Sequence, residues 1–343
     1  MRTGKIKKIS ACYIVKNEAE RLALSLKNLR GIDEIIIVDT GSTDNTLEVA
    51  KKFGAKIFCT NWADDFSTPR NLALSQATGD WIIFLDADEY FTAATADNLR
   101  SVIESIDATA ANGLLIYLVN IDTADGDKIL DTTFVLRIYR NLNGLAYVGK
   151  IHEELRLDGK SLTNIIPLPP KFLTLNHTGY SATLNKMKAA RNLKMLLEEL
   201  AQTNEPQRIY GYIAQCYNGL EDFINAEKFA KLDIESGVRR STFSSSSYRI
   251  LLDILSKDST RLEERQNFAM MAAEDFPDLP DFLAELAECY AAQKNFEAAI
   301  ILMTGALENF AKYDGIEPSI FDEVRANLAR QRIKIWTREF IKN

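Results

Sequence analysis

The chain predicts an α/β domain with a mostly parallel, doubly wound sheet, followed by an all-α region. Three observations carry that expectation. Strand and helix signals alternate from residue 7 to residue 86. The runs at 33–39 and 80–86 are almost uninterrupted in apolar residues, the pattern of strands buried on both faces. From about residue 184 the strand signals vanish and helical spacing takes over.

The elements follow in order. KISACYIV (7–14) is rich in β-branched and aromatic residues and predicts a first strand. NEAERLALSLKNL (17–29) switches to helical spacing, with Leu22, Leu26 and Leu29 on one face. DEIIIVD (33–39) is a second strand that stops at Asp39. A helix is expected from Thr43 to Phe53, with a turn glycine at Gly41, N-cap candidates in Ser42, Thr43 and Asp44, and a closing Gly54. AKIFCT (55–60) is a short third strand. TPRNLALSQATG (68–79) is a helix with Pro69 at its first position and Gly79 near its end. DWIIFLD (80–86) is a fourth strand, and this succession implies right-handed crossovers.

The fourth strand ends in clustered charge, Asp86, Asp88 and Glu89 within four residues. Close carboxylates repel unless a cation or basic group compensates them. In open α/β sheets ligands bind outside the carboxyl ends of the strands, where Asp39 and the Asp86/Asp88 pair both lie. Asp39 alone also fits a plain turn opener.

In the second half, LNKMKAARNLKMLLEEL (184–200) is an amphipathic helix. Segments 210–232 and 283–307 then match in phase: Tyr210 with Leu283, Ala214 with Ala287, Tyr217 with Tyr290, Phe223 with Phe296 and Ala226 with Ala299. Small residues where two helices touch, with aromatics at set offsets, form the tetratricopeptide pattern. The stretch between them is compatible with a degenerate repeat, and STFSSSS (241–247) reads as a loop within it. The expected domains are 1–183 and 184–343. A helical-repeat domain offers a concave face for a peptide, a surface for homo-oligomerisation, or bracing.

Bulk composition removes several function classes. A net charge of −7 argues against a broad grip on nucleic acid. Cys12, Cys59, Cys216 and Cys289 are far apart and form no CxxC pair, so neither a zinc knuckle nor a disulfide framework is expected. The basic start of the chain leads into a short alternating run that reads as a strand rather than a signal peptide. No apolar run approaches the roughly 20 residues of a membrane-spanning helix. The expectation is a cytoplasmic protein, at most peripheral to the inner face of a membrane.

Four segments, YIVKNEAERL, IIIVDTGSTDNT, PRNLALSQATGDWIIFLDADE and VGKIHEEL, resemble in this order the family-2 glycosyltransferases of the GT-A fold, over roughly residues 6–180. The resemblance implies transfer of a sugar from a nucleotide-sugar, usually a UDP-sugar, to an acceptor nucleophile, with inversion by direct displacement. It implies Asp88 as a ligand of Mn²⁺ or Mg²⁺, with Asp86 near the ribose or sharing the metal, and Asp39 at the base or ribose. Arg70, a cation that opposes the dipole at a helix start, would lie beside the nucleotide; its other reading is a solvated arginine. Of the two histidines, His177 is the better metal or diphosphate ligand, and His152 fits a structural role equally well. Glu153 would be the base, with Glu154 the alternative, although the segment departs from the common ED form. The QxxRW motif of processive synthases is absent. Acceptors consistent with this reading are a protein or peptide, or a glycan of surface-polysaccharide assembly with the helices used for dimerisation. Two rivals remain: a nucleotidyltransferase, which would need a glycine-rich loop after strand one, and a non-catalytic scaffold with a vestigial sheet. The joint presence of Asp39, Arg70, Asp86 and Asp88 opposes the scaffold.

Overall fold

A computed structural model describes residues 7–178, 182–237 and 242–342. The chain divides into two compact units, Met1–Lys188 with Lys194–Glu199, and Ala189–Leu193 with Leu200–Asn343.

The first unit opens as β1 (Ile9–Val15), α1 (Ala19–Lys27), β2 (Glu34–Asp39), α2 (Thr46–Lys52), β3 (Lys56–Cys59), α3 (Ser67–Gln76) and β4 (Trp81–Asp86). It continues through β5 (Glu89–Phe91), α4 (Leu99–Asp107), β6 (Gly113–Asp122) and β7 (Lys128–Arg140) to β8 (Leu145–Val148), β9 (Glu154–Leu157), β10 (Lys160–Ser161), β11 (Ile165–Pro167) and β12 (Thr174–His177). The large sheet runs β3-β2-β1-β4-β7-β6-β12-β5, with β11 beside β6, and β10-β9-β8 form a small second sheet. β3, β2, β1 and β4 are parallel. Beyond β4 the sheet turns mixed, because β6 and β7 form an antiparallel pair joined by a short 3₁₀ turn at Thr123–Asp125 rather than a crossover helix.

Helices cover both faces. Leu22 and Leu26 of α1 and Leu99, Val102 and Ile103 of α4 pack with Ile9, Ala11, Tyr13 and Ile83 on one side. Ala73 and Leu74 of α3 pack with Cys12, Ile36 and Phe84 on the other. Alternate residues of β1 therefore serve opposite cores, as the two-residue period of a strand requires. Each fully buried large aliphatic or aromatic side chain contributes about 1.5–3 kcal/mol.

Two local expectations are corrected. Asn45, not Ser42, Thr43 or Asp44, occupies the N-cap of α2, and Asp44 instead accepts from the amides of Thr46 (3.0 Å) and Ala19 (3.3 Å), tying the starts of α2 and α1 together. Pro69 is the third residue of α3, not the first. Gly41 turns with φ of 106°, as anticipated. Gly79 serves close approach: a Cβ there would stand 2.7 Å from the Ser10 amide nitrogen.

In the helical part, α5 (Ala182–Leu200), α6 (Tyr210–Gly219), α7 (Phe223–Ser236), α8 (Ser246–Ser256), α9 (Leu262–Asp275), α10 (Pro280–Ala292), α11 (Phe296–Lys312) and α12 (Glu323–Lys342) follow in order. Each helix from α6 onward packs on the next, and α6 also meets α8. Three hairpins begin at Tyr210, Ser246 and Pro280, close to the tetratricopeptide period of about 34 residues. The middle hairpin, α8 and α9, occupies the stretch expected to be compatible with a degenerate repeat. Ala214, Ala226, Ala287 and Ala299 are fully buried, the small residues that let paired helices touch. Asp222 and Asn295, in phase, cap α7 and α11 through the amides of Asn225 and Ala298. The serine run is loop only in part: Ser246 and Ser247 begin α8, and residue 241 lies outside the described residues. Among the described residues the four cysteines are unbridged, and no helix is long and apolar enough to cross a membrane.

Candidate active site

Sheet register gathers the acids. β1 lies between β2 and β4 with Val15 opposite Asp39 and Ile14 opposite Asp86, so both aspartates leave the sheet at one edge. His177 of β12 stands opposite Asn120 of β6 and Glu89 of β5.

The charge at the end of β4 is offset by the protein's own arginines. Arg70 Nη2 donates to Asp86 Oδ1 at 2.8 Å, and Arg137 Nη2 donates to Asp86 Oδ2 at 3.1 Å. Arg137 also grips Glu89 with two bonds of 2.7 Å. Arg70 Nε donates to Glu153 Oε1. Arg70 is thus no solvated arginine: it is buried over the Phe84 ring, and Asp86 and Glu153 supply the negative charge expected from a nucleotide. Burial pushes the Asp86 carboxyl up, but Arg70 and then Arg137 outweigh it and hold the group well below the usual carboxylate range. For Glu89, only 2% exposed, burial outweighs Arg137 and the carboxyl is pushed up. Both arginines are held charged by their carboxylates against the cost of burial.

Asp88 pairs with neither arginine in the bonds described. Its Oδ2 stands 3.2 Å from His177 Nε2, and its carbonyl accepts from the Thr178 amide at 3.1 Å. Burial disfavours the charged imidazole, but the Asp88 bond prevails and the pKa of His177 is raised. A carboxylate oxygen beside an imidazole nitrogen suits Mn²⁺ or a similar divalent ion. Among the described residues no three His, Cys, Asp or Glu side chains gather as a ready metal cage. Asp86, considered above as a shared ligand, spends both oxygens on arginines.

Asp39 is buried and accepts from the amides of Gly41 and Ser42, each at 3.0 Å. It does open a turn, at the strand end where a ligand would sit. Asn17 latches the same loop, accepting from the Thr43 amide at 2.7 Å.

Glu153 is delivered by a pinned loop. Asn71, next to Arg70 on α3, clamps Tyr147 of β8 through bonds of 2.9 and 2.7 Å. Lys150 accepts from the Phe66 amide and donates to Glu199, both at 2.8 Å. His152 turns the chain with φ of 50°, a left-handed conformation uncommon for a residue with a side chain. Glu154 turns to its own hairpin, bonding Arg156 at 2.9 Å and Ser161. Of the two base candidates, only Glu153 joins the Arg70 network through the bonds described.

Sequence reasoning passed over Arg137 and Asn120. Each is a lone polar residue in an apolar strand run, FVLRIY and YLVNI, which is the signal that could have found them. Arg137 sits in a β-bulge: Leu114 faces Ile138 while Leu115 faces Leu136, leaving residue 137 over.

The family described as Glycosyl transferase family 2 matches residues 10–153. Residues 10–153 carry a glycosyltransferase family 2 domain. A TPR repeat-containing protein of Synechococcus elongatus is 46% identical over 146 residues, 42% of this chain and 34% of that protein. The prophage-derived glycosyltransferase SunS of Bacillus subtilis is 31% identical over 201 residues, 56% of this chain and 45% of SunS. This chain therefore spans about a third to under a half of these curated relatives. A crystal structure of S. aureus TarS with UDP-GlcNAc superposes with a TM-score of 0.44 at 16% identity, covering 88% of this chain and 89% of that one. The family 2 match coincides with β1 to the Glu153 loop, and the mixed sheet flanked by helices is of the GT-A class.

Proposed function

We propose that this chain is an inverting, metal-dependent, non-processive glycosyltransferase that moves a sugar from a UDP-sugar to an acceptor. The observation that carries the reading is the Asp88–His177 pair at the carboxyl ends of the strands, next to an ion network that ends on Glu153. Asp88 and His177 are the residues that would hold Mn²⁺ or Mg²⁺, which supplies neutralisation of the diphosphate leaving group. Asp39 and Asp86 face the nucleoside, and Arg70 sets the distance between Asp86 and Glu153. Glu153 takes the proton of the attacking acceptor nucleophile, the one base an inverting displacement needs. Calorimetric titration with UDP and Mn²⁺, followed by a nucleotide-sugar hydrolysis screen with and without Mn²⁺, tests the reading. No metal-dependent heat would return the chain to the scaffold alternative.

Asp39→Ala should raise the donor KM more than it lowers kcat, as expected for binding shared by ground and transition states. A pure kcat effect would remove Asp39 from the nucleotide site.

The stacked hairpins favour a protein or peptide acceptor, since such arrays bind extended segments on their concave face. Gln215 and Asn218 of α6 are half-buried polar candidates for that face. Substituting them should raise the acceptor KM several-fold and leave donor hydrolysis unchanged. If acceptor transfer is untouched, the helices brace or dimerise, and a glycan acceptor becomes the better reading.

A further inference from the structure

The environment of His177 fixes which ring nitrogen carries the proton. Asn120 is 3% exposed and stands on β6, between His177 and Asp131 of β7. Its amide nitrogen donates to the Asp131 carboxylate, so its carbonyl oxygen is the atom that faces His177 Nδ1, at 2.8 Å. A carbonyl oxygen only accepts, and this bond therefore requires the hydrogen on Nδ1. The neutral ring then turns the lone pair of Nε2 toward Asp88 Oδ2, 3.2 Å away. Two acceptors so placed are matched by a cation between them, either a ring proton or a metal ion.

We propose that Asn120 is a positioning residue that keeps the His177 proton on Nδ1, so that Nε2 presents its lone pair beside Asp88 to a divalent cation. The inference rests on the metal-dependent reading above, with Asp131 as the anchor that orients the Asn120 amide. Two bonds in series run from an outward carboxylate to Nδ1, the ring nitrogen that does not face the cation, the arrangement that orients metal-binding imidazoles generally.

The chain has only two histidines, which makes the ring directly observable by ¹⁵N NMR of histidine-labelled full-length protein. His152→Gln assigns the signals. Above the titration of the ring, wild type should show the Nδ1–H tautomer at His177. Asn120→Leu should shift the ring toward Nε2–H and weaken UDP-dependent Mn²⁺ binding by about tenfold or more. The exchange Asn120→Asp with Asp131→Asn keeps an acceptor toward His177 and a bond between positions 120 and 131, now donated by residue 131, and should restore both readouts. An Nε2–H tautomer in wild type overturns the proposal without any variant. So does an Asn120→Leu protein that binds Mn²⁺ as wild type does. A wild type with Nδ1–H and no metal-dependent heat instead overturns the metal-dependent reading and leaves the positioning of the ring standing.

Discussion

Asp88→Asn should abolish sugar transfer while leaving the melting curve unchanged. The substitution keeps the shape of the side chain and the backbone bond that the Thr178 amide donates to the Asp88 carbonyl, and removes one unit of charge from the pair with His177. A divalent cation at a phosphoryl leaving group is worth several kcal/mol, and each ~1.4 kcal/mol is a decade in rate. Loss of about a thousandfold in kcat is therefore expected, with Mn²⁺ binding weakened in parallel. In the ion pairs described Asp88 shares no arginine with Asp86 and Glu89, so that network should persist. Transfer above a tenth of wild type, in a protein that melts normally, would remove Asp88 from the metal site.

Arg137→Met should act mainly on stability. It leaves Glu89 nearly fully buried without its counter-ion and frees one oxygen of Asp86. Breaking a buried ion pair costs about 3–5 kcal/mol. The low end, about 3 kcal/mol, is expected because 21% of the Arg137 side chain remains exposed. Glu89, already pushed up by burial, should then take a proton rather than stay charged. The Asp86 contribution has the opposite pH sense: its folded pKa is depressed, so its stabilisation is present above the unfolded value and lost as pH falls toward the folded one. Denaturant melts at neutral pH and near pH 4 would measure the Glu89 effect, and melts at about pH 2–3, below the unfolded Asp value, the Asp86 effect. The double variant Arg137→Met/Glu89→Gln should recover part of the loss, since the orphaned charge is gone. If Arg137→Met melts within about 0.5 kcal/mol of wild type, the size of an ordinary surface change, the network contributes little to the fold.

Much of this was legible before any coordinates. The apolar runs at 33–39 and 80–86 became β2 and β4, and the acids at their ends lie together because both strands flank β1 in parallel register. The phase of Ala214 with Ala287 and of Ala226 with Ala299 anticipated buried helix contacts, and each of the four is fully buried. Arg70 was singled out for opposing its helix dipole, which is a local rule; that its partners are Asp86 and Glu153, 16 and 83 positions away, is not local information.

The sequence by itself determined the order of elements from β1 to β4, the burial of β2 and β4 on both faces and the strand ends where the acids emerge, because those depend on periodicities within one strand or helix. Only the tertiary structure decided the division of labour among the acids. Asp86 and Glu89 are bound by arginines, Asp88 is left to His177, and Glu153 rather than Glu154 joins the network. Those assignments depend on bulges and cross-strand partners that pattern does not encode. The extra residue at Arg137 re-aims a side chain that strict alternation would have placed otherwise. The parallel pairing of His177 with Asn120 joins positions 57 residues apart through one hydrogen bond.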